Sequence, residues 1–259
     1  MEKSLILDDN VRNRLAAEAY KDEITKENIK KVIQKNSVIT NVPDFKLYTE
    51  SDPNSGLDAY AIHFYDKTVN EVYFFVRGTE VDQFEDIYAD AAGIAAGSNI
   101  DQLNKFDEAY NRVKQKIKSD NGLSSKEMKG LSINLDGHSL GGNQVTSLAL
   151  KHGEFQTVRG LNDAPVNVYQ MTWFDNNFYQ SVEKKFKTNN IYSIDEKKLL
   201  AFAADYYEEN SRNITHVRVK GEPLYTQSFP GKFYPGKNIQ ILEPSEATKE
   251  FPDVSTYPL

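Results

Sequence analysis

A chain of 259 residues, 39% hydrophobic and 27% charged, is long enough for one large α/β domain and carries no collagen, coiled-coil or disorder bias. Its net charge of −7, from 38 acidic against 31 basic side chains, argues against nucleic acid as a partner, because phosphate binding wants a basic face. The absence of cysteine excludes disulfides and cysteine-ligated zinc.

The N-terminal apolar run, Leu5 to Leu7, is far below the roughly 7–15 residues of a signal peptide. The longest stretches without formal charge, Gly137 to Leu150 and Ala164 to Phe174, are too short and too polar to span a bilayer. The expectation is therefore a soluble chain without a signal peptide, cytoplasmic or exported by a non-classical route. Residues 9–36 place Val11, Leu15, Ala16 and Ala19, then Ile24, Ile29, Val32 and Ile33, at helical spacing. Two packing helices, split near Asp22–Thr25, follow from that pattern and make residues 1–40 a helical extension packed on the domain.

From Phe45 the period shortens. Phe45 to Tyr48 alternates, and Ala59–Tyr65 and Glu71–Val76 are β-rich runs joined by a hairpin-like turn. Residues 82–118 read as helical, interrupted by the small-residue run Ala91 to Ser98, with Leu103, Phe106, Tyr110, Val113 and Ile117 close to a 3.6-residue period. Leu131–Leu135 is a short strand, Asn143–His152 a helix and Val158–Leu161 a strand. Residues 172–212 are aromatic-rich and mostly helical in pattern, a core or an acyl-binding groove. Strands at 214–219 and 239–242 follow. Strand and helix alternating through the middle predict an α/β fold, a mostly parallel sheet with helices on both faces, in a single domain over 1–259.

The chemistry concentrates in Asp136-Gly137-His138-Ser139-Leu140-Gly141-Gly142. A serine hydroxyl is a poor nucleophile unless it is held exposed beside a base. An apolar strand, a glycine-rich turn and a helix start are the parts that hold it so, with glycines leaving room for a turn in which side chains would collide. Ser139 is the candidate nucleophile. The backbone N–H of Leu140, at the helix start, points where an oxyanion would form.

Upstream, Val72-Tyr73-Phe74-Phe75-Val76-Arg77-Gly78-Thr79 runs a buried-looking strand into Arg-Gly-Thr. The two motifs in this order, with Glu85, Asp86 and Asp90 between them, resemble the class 3 (fungal-type) lipases over roughly residues 58–165. The resemblance implies an α/β-hydrolase fold, an oxyanion hole made by Thr79 and Leu140, Arg77 holding the loop, and a lid in residues 80–100. It also implies an acid after a later strand. Glu222, in Val217-Arg218-Val219-Lys220-Gly221-Glu222-Pro223, stands where the family has Asp, and it is preferred to Asp163 in Leu161-Asn162-Asp163-Ala164-Pro165 on chain order.

The histidine departs from the family. The four are His63, His138, His152 and His216, and none follows Glu222. His138 would point away from the site, His63 and His152 read as packing or surface residues, and His216 lies about 20 Å from Glu222 at strand rise. A chain stopping before its histidine is the preferred explanation; a base reached by an unseen route and a scaffold without catalysis are the others.

The reading is a serine ester hydrolase of the lipase, phospholipase or esterase kind, acting by acyl transfer to Ser139 without metal or cofactor. Its substrate would be a lipid or small ester, with transient contact to a membrane surface. The rivals are an inactive lipase-fold binding module and, on the same fold, a peptidase or thioesterase.

Overall fold

The computed structural model describes residues 6–21, 23–36, 41–66, 68–78, 100–221, 230–236 and 238–243. Its centre is a seven-stranded sheet. Strands β1 (Phe45–Asp52), β2 (Leu57–Tyr65) and β3 (Asn70–Val76) form an antiparallel meander. β4 (Ser132–His138), β5 (Thr157–Leu161), β7 (Ile214–Val219) and β9 (Asn238–Leu242) then add in parallel, in the order β1-β2-β3-β4-β5-β7-β9. A two-residue ribbon, β6 (Val166–Asn167) against β8 (Lys232–Phe233), lies outside the sheet. The fold class is the expected one: α/β, a mostly parallel mixed sheet flanked by helices.

That strand order has a consequence for the layers. Each parallel strand is laid beside the last in the same direction, and right-handed crossovers then place every connecting helix on one face. Helices α3 (Ile100–Asp120), α5 (Leu140–His152), α6 (Val168–Phe174), α7 (Asn176–Phe186) and α8 (Glu196–Tyr206) share one core with Ala59, Ala61, Val72, Phe74, Ile133, Leu135 and Val158. The alternate residues, Tyr60, Ile62, Phe64, Tyr73 and Phe75, face the other way, as the two-residue period of a strand requires. Among the described residues no crossover reaches that face. It is covered by α1 (Asp9–Glu18) and α2 (Lys26–Asn36), through Val11, Leu15, Ala16, Ile29 and Ile33.

Under α1 lies a buried charge cluster. Asp136 on β4, fully buried, accepts from Arg12 Nε of α1 at 2.9 Å and pairs with Arg159 Nη1 of β5 at 3.4 Å. The helices expected at 9–36 and the strands expected through the middle are present. A short helix α4 (Ser125–Lys129) was missed, although its capping box, Ser124 with Glu127, is readable as Ser-x-x-Glu.

The aromatic-rich segment divides between core and surface. Phe174, Phe178 and Tyr207 are buried, whereas Trp173 and Tyr192 are about two-thirds exposed, at 68% and 66%. Phe178 is the hub, with the rings of Tyr207 and Tyr206 at 4.9 and 5.2 Å and Phe202 beyond them. Phe178→Ala should cost about 3–5 kcal/mol, as a fully buried ring lost from a packed site does, and urea unfolding monitored by circular dichroism measures it. Among the described residues no helix is long and apolar enough to cross a membrane.

Candidate active site

β4 ends and α5 begins around one residue. Ser139 has φ 53° and ψ −121°, backbone that a side-chain-bearing residue adopts at a cost of about 1–3 kcal/mol. The neighbours hold it there. Its N–H donates to Leu161 O of β5 at 3.0 Å, and its own carbonyl accepts from Gly142 and Ala164 N–H, each at 3.0 Å. The glycines around it permit the closeness: a Cβ on Gly137 would run into Gly141 O, and one on Gly141 into Val76 O at the end of β3. Leu140 is the first helical residue, so its N–H belongs to a turn with no intrahelical acceptors.

Opposite the elbow, β3 gives way to Arg77 and Gly78. Arg77 is paired with Asp58 through its guanidinium, and its N–H donates to Asp58 O at 3.0 Å, which ties the end of β3 to β2. Thr79, Glu85, Asp86, Asp90 and the rest of the segment 79–99 lie outside the described residues, and so does Glu222.

Asp163 and His216, by contrast, are brought together. His216 stands opposite Gly160 in the β5–β7 ladder. Because Gly160 has no side chain, the Asp163 carboxyl folds back over it, where a Cβ would lie 2.6 Å from Asp163 Cγ. Asp163 Oδ2 then meets His216 Nδ1 at 2.7 Å, with both side chains 1% exposed. The other ring nitrogen, Nε2, donates to Pro235 O at 2.7 Å. Both ring nitrogens are thus engaged, one by a carboxyl group and one by a carbonyl that can only accept. Burial works against that charge, but the Asp163 carboxylate, by charge and hydrogen bond, and the Pro235 carbonyl outweigh it and raise the His216 pKa above its ordinary value.

Asp163 Cβ sits against Gly142 at the start of α5. Nδ1 of His216 faces that side and Nε2 faces away from it, towards Pro235. No lone pair is left to accept a proton from Ser139, and Ser139 Oγ has no hydrogen-bonding histidine among the described residues. The other three histidines are placed differently. His63 is buried on β2 and bonds Asn70, and His152 pairs with Asp107 at 2.8 Å. His138 meets Tyr20, just beyond the end of α1. Its Nδ1 accepts from the hydroxyl of Tyr20 at 2.6 Å, and burial lowers its pKa to about 4, with Asp163 opposing the shift.

A family model described as a domain of unknown function, DUF6792, matches residues 10–243. The chain belongs to the DUF6792 family. The match takes in both helices on the bare face of the sheet as well as the elbow. The DUF6792 domain is 28% identical to YvcB of Bacillus subtilis (strain 168) over 205 residues, 77% of this chain and 31% of that protein, so it spans about a third of that relative's length. A solved arylesterase structure aligns over 92% of this chain and 91% of its own, at 13% identity and a TM-score of 0.31.

Two features of the DUF6792 domain escaped sequence reasoning. The pairing of Asp163 with His216 depends on Gly160 leaving room in a neighbouring strand, which no local pattern announces. Tyr20 lies more than a hundred residues from His138 and carries no motif.

The histidines also set a pH dependence. His138 and His63 have lowered pKa values, so below about 6.5 the unfolded chain takes up their protons first, and stability is lost as pH falls towards the folded value. His216 has the opposite sign: its contribution is fully present below about 6.5 and is lost as pH rises through its raised folded value. Nitrogen-15 NMR of the rings should find His138 neutral at about pH 5 and His216 still largely charged at about pH 6.5.

Proposed function

We propose that this chain is a serine hydrolase of carboxylic esters, with Ser139 as the residue that accepts the acyl group. The observation that carries the reading is the backbone of Ser139. A serine kept at φ 53° by hydrogen bonds from β5 and close glycine contacts is strained, and such strain concentrates where a side chain must be presented for chemistry. The ester carbonyl carbon would be attacked by Ser139 Oγ, giving a tetrahedral oxyanion held by the N–H of Leu140 and, by resemblance to the class 3 lipases, of Thr79. Collapse would break the ester C–O bond, the alcohol leaving with the proton given up by the serine hydroxyl, and leave an acyl-serine that water would hydrolyse to the acid and free Ser139. Asp163, with His216, would brace β5 against β7 behind the elbow rather than take the serine proton. Lipid and small-molecule esters are the substrate class that the lipase resemblance favours, and Glu222 remains the acid it points to.

A second reading, a lipase-like scaffold without catalysis, draws on the double engagement of His216, the buried histidine paired with Asp163 behind the elbow. Fluorophosphonate labelling read by intact mass separates the two. Wild type should gain one adduct and Ser139→Ala none. A folded wild type that stays unlabelled would sink the hydrolase reading and favour the scaffold.

A further inference from the structure

Tyr20 follows the C-terminal end of α1 and extends its ring to the top of the sheet. Its hydroxyl does two things there. It accepts from Gly78 N–H at 3.0 Å, and it donates to His138 Nδ1 at 2.6 Å, with the two rings edge to face and 5.5 Å apart. The hydroxyl is also close to the nucleophile. A Cβ placed on Gly78 would meet Tyr20 Oη and Ser139 Cβ at 2.9 Å each, and His138 O at 2.7 Å, so the three groups surround one point above Gly78.

The location matters because the sheet does not reach it. The β3–β4 register runs from Glu71 opposite Ser132 to Val76 opposite Gly137 and ends there. Gly78 therefore lies beyond the last rung on one strand, as His138 and Ser139 do on the other. We infer that Tyr20 is a positioning residue for acyl transfer, its hydroxyl tying the strand end that leads to the oxyanion donor to the elbow that carries the nucleophile. The inference rests on the ester-hydrolase reading and names a part for it that neither motif contains.

The chemistry suits a tie rather than a proton relay. A phenol hydroxyl has one proton to give and lone pairs to receive, which matches one imidazole acceptor and one amide donor. His138 stays neutral through the ordinary pH range, so its ring keeps one N–H and one lone pair, and its Nδ1 can bond the hydroxyl in either tautomer. Tyr20 also joins two layers of the fold: the helices on the bare face of the sheet reach the site through it.

The test compares fluorophosphonate labelling rates and p-nitrophenyl ester turnover of wild type, Ser139→Ala, Tyr20→Phe, His138→Leu and the double variant Tyr20→Phe/His138→Leu. Tyr20→Phe keeps the ring and its packing and removes the tie. Labelling and kcat should fall about 100-fold, the scale of a misplaced reacting group, while KM changes by less than about twofold. His138→Leu should show a similar loss and the double variant no further one, because either substitution breaks the one Gly78–Tyr20–His138 bridge. If Tyr20→Phe does not fold, His138→Leu, with Tyr20 in place, reads the same tie. Labelling at the wild-type rate in whichever of these single variants folds, or losses that add in the double variant, would overturn the inference while Ser139→Ala upheld the reading. A wild type that takes no label would overturn the reading and the inference together.

Discussion

Asp136→Ala should lower the unfolding free energy by about 3–5 kcal/mol, a large share of what a domain of this size has to lose. The aspartate is fully buried and stands between two guanidinium groups, Arg12 from α1 at 2.9 Å and Arg159 from β5 at 3.4 Å. Removing it leaves two buried cations facing one another without their shared anion. The loss is expected in the urea midpoint and in protection of the α1 amides, since Arg12 is what anchors that helix to β4. Replacing all three by apolar residues of similar volume should recover much of the stability, because the cluster's own desolvation then disappears as well. A triple variant as unstable as Asp136→Ala would show that the ion pairs themselves, rather than the orphaned charges, hold α1 down.

Gly141→Ala should be nearly as damaging, and it should also silence Ser139. Its Cβ would run into the Val76 carbonyl oxygen and come within 2.9 Å of Arg77 O, and these are backbone atoms fixed by the sheet, with no flexible end to move aside. Overpacking of this kind costs about 3 kcal/mol, and relief requires the elbow and the end of β3 to separate. Thermal unfolding measures the first effect and fluorophosphonate labelling the second. Gly122→Ala is the control: it meets nothing within 4 Å, so only its φ of +61° makes it unfavourable. Labelling of Gly141→Ala at the wild-type rate would mean that the elbow tolerates displacement from β3.

Much of the fold was legible because its signals are local. Two-residue alternation marked β1, apolar β-rich runs marked β2 and β3, the spacing of Leu103, Phe106, Tyr110, Val113 and Ile117 marked α3, and the glycines flanking Ser139 marked the turn from β4 to α5. The layer that covers each face was only half legible. Helices were expected on both faces, but that α1 and α2 supply one of them unaided follows from the strand order, which is a property of pairing between segments far apart. The site was less readable for the same reason. Ser139 and Leu140 sit inside a motif, whereas Asp163 finds His216 only across a glycine in the next strand. His138 was expected to turn from the site because its neighbours in sequence suggest so, yet Tyr20 receives it from another layer.

The covering of the sheet by the chain's beginning also bears on synthesis. Arg12 emerges from the ribosome 124 residues before Asp136, its partner on β4. At roughly 5–20 residues per second that is a wait of about 6–25 s, during which Val11, Leu15, Ile29 and Ile33 have no complete sheet to rest on. The meander β1-β2-β3 offers the first surface, and the charged Arg12 can be neutralised only after β4 has joined it. The helices that emerge first are thus among the last to settle. A nascent chain paused before Ser132 should carry them undocked, open to proteases and to chaperones that recognise exposed apolar helices.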